Sequence, residues 1–196
     1  MEKLLLVNAC MRGPEVSRTY RLCRVFLNVY ASIHPDFEME EVDLVRDLLR
    51  CYGGTDIARR EGLIKSGTAS HTMFQLAGQF ALADKIVVGA PYWDFSFPAV
   101  LKAYVEHIST PGITFRYTQT GSEGLCRAKK LMYITTAGGY IADADFGFAY
   151  FKRLCALYSI AQCEAIRAEG LDIDGNDVEA IMRVAETETA AAARLF

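Results

Sequence analysis

Residues 86–108 read IVVGAPYWDFSFPAVLKAYVEHI. The run 86–90 is apolar and rich in β-branched residues, which suits a parallel strand covered on both faces. A loop crowded with rings follows at 91–97, and a helix opens at Pro98. Proline at a first helical position forfeits no hydrogen bond, because that N–H would have no partner anyway. Tyr92, Trp93, Asp94 and Phe95 are therefore expected at the carboxyl end of a central strand. In an open α/β sheet that is where ligands bind.

The same alternation extends on both sides. KLLLVNA at 3–9 reads as a first buried strand and CMRGPEV at 10–16 as a punctuated loop. From Ser17, a plausible N-cap, the apolar residues Leu22, Val25, Phe26 and Val29 recur at helical spacing, until His34-Pro35 stops the helix. FEMEEVD at 37–43 is a second strand. Residues 44–70 are the least legible, with a helical turn expected at 44–49 and a short helix at 55–65; long connections of this kind are often functional. Helix is expected at 75–83, a loop or short extended excursion at 109–127, a fourth strand at 130–136, helix at 146–160, a fifth strand at 163–169 and a closing helix at 178–195. Strand and helix alternate throughout. Right-handed crossovers then predict a three-layer, doubly wound, five-stranded parallel α/β sheet of order 2-1-3-4-5, in a single domain spanning residues 1–196.

Composition narrows the function. The chain has 196 residues, 52% apolar and 23% charged, with a net charge of −3. That leaves no basic footprint for nucleic acid and no run suited to an anionic membrane surface. No apolar stretch approaches the ~18 residues of a membrane span. The six cysteines form no CxxC pair, so reduced thiols in a cytoplasmic protein are expected, and no metal site. The first residues enter a strand directly, without the features of a signal peptide.

Order 2-1-3-4-5 makes the first, third and fourth strands neighbours, so three loops should converge on one crevice. The first offers Arg12, Ser17, Arg18 and Thr19 at a helix start, where free N–H groups and the helix dipole attract an anion; a plain cap with solvated arginines is the alternative. It matches neither a Walker P-loop nor a Rossmann fingerprint. The second supplies Pro91 and the rings of Tyr92, Trp93 and Phe95 for a flat heterocycle, unless those rings turn inward to the core. The third is Thr136-Ala137-Gly138-Gly139, either a close approach of backbone to ligand or an ordinary turn.

PYWDF at 91–95 resembles the P-x-Y-N-F motif of the FMN-dependent NADH-azoreductase and NAD(P)H:quinone oxidoreductase family, which has a flavodoxin-like fold. The likeness continues through LKAYVEHI, GITFRYT at 112–118, GSEGL at 121–125 and TTAGG at 135–139, with Ser17 and Thr19 matching a spaced hydroxyl pair. The resemblance implies non-covalent FMN, its phosphate around Arg12, Ser17, Arg18 and Thr19 and its ring against Pro91, Tyr92, Trp93, Asp94 and Phe95, with Thr136, Ala137, Gly138 and Gly139 alongside. It implies NAD(P)H as co-substrate, a quinone, azo or nitro compound as acceptor, alternating use of one site, and a homodimer whose interface lies near it, the 115–117 segment helping to close the cleft. The flavin carries such chemistry and no protein nucleophile is needed; Tyr92, Tyr117 and Tyr140 are the candidate proton donors. His107 reads as packing. Three departures stand out: Asp94 replaces the family asparagine, Trp93 its tyrosine, and Ala9-Cys10 the usual serine after the first strand. A flavin-binding electron carrier or redox sensor, or a flavin-free interaction module, fits the same loops.

Overall fold

A computed structural model describes residues 1–142 and 145–196. Its main sheet has five parallel strands: β1 (Glu2–Asn8), β2 (Phe37–Asp43), β3 (Lys85–Gly89), β6 (Lys130–Thr136) and β7 (Gln162–Ala168), in the order β2-β1-β3-β6-β7. With the two hairpin strands β4 (Phe115–Thr118) and β5 (Gly121–Gly124) set aside, this is the expected 2-1-3-4-5 order. The three central strands are buried along nearly their whole length, whereas β2 and β7 at the edges are buried only in part. That difference explains their sequences. Strands covered on both faces need continuous apolar runs, and edge strands tolerate FEMEEVD and QCEAIRA.

Each central strand feeds two cores. Leu4 and Leu6 face one way with Val87, Met132 and Ile134, against α1 (Arg18–Ile33) and α6 (Val178–Leu195). Leu5 and Val7 face the other way with Ile86, Val88, Leu131 and Tyr133, against α3 (Gln75–Leu82), α4 (Ala99–Ile108) and α5 (Phe146–Tyr158). On α1 the buried set is Thr19, Leu22, Cys23, Phe26 and Tyr30. The stripe is rotated slightly from the one that Val25 and Val29 would have given. α2 (Gly54–Lys65) buries no side chain and lies outside both layers.

The structure differs from the expectations in three places. Pro98 is the N-cap of α4 rather than its first residue. A short 3-10 turn, Thr72–Phe74, precedes α3. The 109–127 excursion contains an antiparallel hairpin of two four-residue strands. Its strands are largely exposed, which is why hydrophobic periodicity gave no sign of them. Among the described residues, no helix is long and apolar enough to cross a membrane.

Candidate functional site

The loops after β1, β3 and β6 do meet. They border a cleft with Met11, Arg12, Ser17, Arg18, Thr19, Pro91, Tyr92, Trp93, Thr136, Ala137 and Gly138, to which the segment after β7 adds Leu171 and Asp172. The first loop is folded tightly: the Cys10 N–H donates to Asn8 Oδ1 at 3.0 Å, Gly13 takes a positive φ of 76°, and the Ser17 N–H reaches Gly13 O at 3.1 Å. Ser17 caps α1, its Oγ accepting from the Tyr20 N–H at 3.2 Å. Among the described residues, the N–H groups of Arg18 and Thr19 that open this 16-residue helix have no acceptor. The helix dipole adds partial positive charge at that end. The Thr19 hydroxyl is already committed: it shares a 2.6 Å hydrogen bond with Thr136, pinning α1 to the end of β6.

The aromatic loop is a two-residue turn. Trp93 and Ser96 exchange backbone hydrogen bonds of 3.2 and 2.8 Å, and Asp94 and Phe95 between them have φ of 49° and 66°. Such a turn favours Asn-Gly. Aspartate tolerates the left-handed region, whereas phenylalanine there is strained. The Tyr92 N–H donates to Thr136 O at 2.9 Å and fixes the loop to the sheet. Pro91, Tyr92 and Trp93 thus line the cleft, while Asp94 and the ring of Phe95 turn outward. Tyr92 Oη is shielded from solvent without a hydrogen-bond partner among the described residues. Burial, then the nearby Asp145 and Glu169 carboxylates, push its pKa up, so the phenol keeps its proton.

The far wall is a backbone ladder. Ala137 N–H donates to Ala168 O (2.8 Å), Leu171 N–H to Ala137 O (3.1 Å), Asp172 N–H to Gly138 O (2.9 Å) and Gly170 N–H to Gly139 O (2.9 Å). A Cβ on Gly138 would collide with Asp172 Oδ2 and lie 3.1 Å from its Cγ. Glycine is required here to seat that carboxylate. Gly139 lies outside the cleft lining.

Of the three tyrosines expected as proton donors, Tyr92 lines the cleft, whereas Tyr140 and Tyr117 do not. Tyr140 stands exposed at its rim, its Oη accepting from Asn176 Nδ2 at 3.4 Å. Tyr117 sits on the hairpin, and the hairpin is anchored at the opposite end of the sheet. There the Leu125 N–H reaches Thr114 O (2.9 Å) and the Gly124 N–H reaches Ser159 Oγ (3.1 Å) beyond the last turn of α5. Met11, Leu171 and Asp172 were the lining residues that sequence reasoning passed over. Extending the rule of strand carboxyl ends to the fifth strand would have found the last two.

A family model described as flavodoxin-like fold matches residues 2–193. The chain belongs to that family. Among its relatives, the FMN-dependent NADH:quinone oxidoreductase 2 of Clostridium acetobutylicum is 36% identical over 189 residues, 93% of this chain and 94% of the relative. The FMN-dependent NADH:quinone oxidoreductase of Clostridium beijerinckii is 34% identical over the full length of both chains. The crystal structure of an azoreductase from Bacillus anthracis superposes with a TM-score of 0.89 at 28% identity, covering all of both chains. The cleft lies at the carboxyl ends of the strands, at the switch point between β1 and β3, the place where open α/β sheets bind ligands.

The lining has the chemistry for FMN. Two N–H groups at a helix start that have no acceptor among the described residues, with the Arg12 guanidinium beside them, suit a phosphate. Pro91, Tyr92, Trp93, Met11 and Leu171 suit a flat, largely apolar ring. Ser17 and Asp172 add polar atoms to the lining.

Proposed function

We propose that the protein is an FMN-dependent NAD(P)H oxidoreductase that reduces a quinone, azo or nitro compound. The observation that carries this reading is a single cleft joining an anion seat at the start of α1 to an aromatic floor at the end of β3. Curated relatives named for NADH:quinone oxidoreduction, 34–36% identical to this chain, support it. Bound FMN would supply two-electron chemistry, accepting a hydride from the nicotinamide and passing reducing equivalents to the acceptor.

The chain's own residues bind and orient. Arg12, Ser17 and the N–H groups of Arg18 and Thr19 would hold the phosphate. Pro91, Tyr92 and Trp93 would support the ring, with the N–H groups of Asp94 and Phe95, which have no acceptor among the described residues, toward its edge. Ala137 and Gly138 would form the far wall, and Thr136 holds α1 in register with it. The Tyr92 ring lines the cleft but its protonated Oη is buried away from the opening, so Tyr92 would pack against the flavin ring rather than donate to an acceptor; Tyr117 could serve only from a second subunit.

The cavity holds about 150 Å³, below the roughly 300 Å³ at which small-molecule pockets begin. One chain alone therefore encloses less space than such a ligand fills. Exposed Trp93, Phe95, Tyr140 and Phe146 lie on the loops and helix start that follow β3 and β6, at the same end of the sheet. A homodimer that covers this rim would complete the site, and a cytoplasmic setting suits free thiols at Cys10, Cys23, Cys51, Cys126, Cys155 and Cys163.

The test is a titration with FMN followed by anaerobic addition of NADH or NADPH. Stoichiometric binding, bleaching of the flavin and its reoxidation by a quinone are expected. A protein that takes up no FMN overturns the reading. Bound flavin that stays oxidised with both nucleotides assigns the fold to a carrier or sensor instead.

A further inference from the structure

Asp172 presents an acceptor that the fold leaves unused. Its Oδ1 receives Arg18 Nη1 at 2.8 Å, and the same guanidinium reaches Leu171 O at 3.3 Å. Its N–H is spent on Gly138 O. Its Oδ2 lies over Gly138, in the space a Cβ would take, and has no donor among the described residues. The carboxylate lines the cleft between the start of α1 and the wall at 137–138. It therefore stands beside the anion seat, where the start of α1 meets the far wall.

A carboxylate at that point repels a phosphate and has nothing to offer the apolar face of a ring. It accepts from hydroxyls. Resting on the FMN reading above, we infer that Asp172 Oδ2 accepts a hydrogen bond from a hydroxyl of a polyol chain linking phosphate to ring, and so selects flavins that carry a ribityl chain over the bare tricycle. Arg18 is a positioning residue in this arrangement. Its charge is matched by Asp172, which leaves Arg12, with no ion-pair partner among the described residues, as the free guanidinium for the phosphate. Gly138 is the second positioning element, since any side chain there displaces the carboxylate.

The experiment compares FMN, riboflavin and lumiflavin, which has a methyl group in place of the polyol, by equilibrium fluorescence titration of wild type, D172A, D172N and G138A. A hydrogen bond to a charged acceptor is worth roughly tenfold in affinity. D172A is expected to bind riboflavin about tenfold more weakly with lumiflavin unchanged. FMN should lose less than riboflavin, because the freed Arg18 can turn to the phosphate. G138A, whose methyl both displaces the carboxylate and enters the cleft wall, should weaken riboflavin more than lumiflavin, and D172N, which keeps an oxygen acceptor, should lose less than D172A. Asp172 is exposed, so D172A is expected to fold. Equal changes for riboflavin and lumiflavin, or none for either, overturn the assignment while leaving the FMN reading intact. A wild-type protein that binds none of the three overturns both.

Discussion

The two ends of the sheet are finished differently. At the amino end, polar groups close on one another. Lys85 pairs with Glu2 at 3.2 Å, donates to Tyr30 Oη at 2.9 Å and lies 4.9 Å over the Tyr30 ring; Glu2 in turn accepts from Tyr30 Oη. Lys130 donates to Leu195 O at 2.6 Å, and Phe196 meets Phe26 edge to face at 5.2 Å. At the carboxyl end the opposite holds. Among the described residues, the N–H groups of Arg18 and Thr19, Tyr92 Oη and Asp172 Oδ2 lack partners, Asp94 and Phe95 sit in left-handed turn conformations, and Trp93, Phe95, Tyr140 and Phe146 face solvent. The same three strands run from one end to the other, so the contrast belongs to the loops and helix ends. Stability is concentrated where the chain satisfies itself, and recognition where it does not.

Substitutions at the two ends should therefore separate stability from flavin binding. The largest effect is expected for F26A. Phe26 is fully buried against Tyr30 and Phe196, and removing such a ring costs about 3–5 kcal/mol. Denaturant unfolding should show that loss, with the FMN dissociation constant unchanged where the variant is folded. A tenfold weakening of FMN would break the contrast and mean that α1 transmits core packing to its start. W93A should respond in reverse. Its side chain is 40% exposed, so stability should move by less than about 0.5 kcal/mol, while FMN affinity falls about tenfold through lost ring packing. Unchanged affinity would remove Trp93 from the floor.

Phe95 sharpens the comparison further. Its φ of 66° and 71% exposure give it strain without core contacts. A non-glycine residue in that region costs roughly 1–2 kcal/mol. F95G should therefore raise the melting temperature by about 2–4 °C per kcal/mol relieved. If the ring serves the rim, turnover or self-association should drop at the same time. A variant that gains stability and loses neither would leave the strain without a use.

How far the sequence disclosed this contrast depends on where each feature lies. The sheet order was legible because three continuous apolar strands, each followed by a helical stripe, admit few right-handed arrangements. Arg12, Ser17, Pro91, Tyr92, Trp93 and Gly138 were legible because they follow the central strands directly. Asp172 was passed over, since a lone acid after an edge strand has no motif; the rule of strand carboxyl ends reaches its loop, and the backbone ladder from 137–139 to 170–172 carries it into the cleft. Gly138 drew notice as glycine, but its neighbour is a side chain 34 positions away along the chain. Tyr117 shared a motif with the site and no spatial end of the sheet with it. The closed network at the amino end was silent as well, because Glu2, Tyr30, Lys85 and Phe196 lie far apart in sequence.

The smallest effect tests that network. Burial raises the pKa of Glu2, but the hydrogen bonds from Tyr30 and Lys85 and the charge of Lys85 outweigh it, and the net shift is downward from 4.5. A carboxylate whose pKa is depressed on folding stabilises the native state above its ordinary pKa, and that contribution fades as pH falls below it. Glu2 is 37% exposed in its side chain, so the pair with Lys85 is partly screened and worth about 0.5 kcal/mol. E2Q should lower the melting temperature by about 1–2 °C at pH 7. The gap between E2Q and wild type should then narrow as pH falls below 4.5. Flavin affinity should be the same for both proteins at pH 7. A gap that persists unchanged to pH 3 would mean that E2Q acts through packing, and the amino end would then owe its firmness to its rings rather than to its charges.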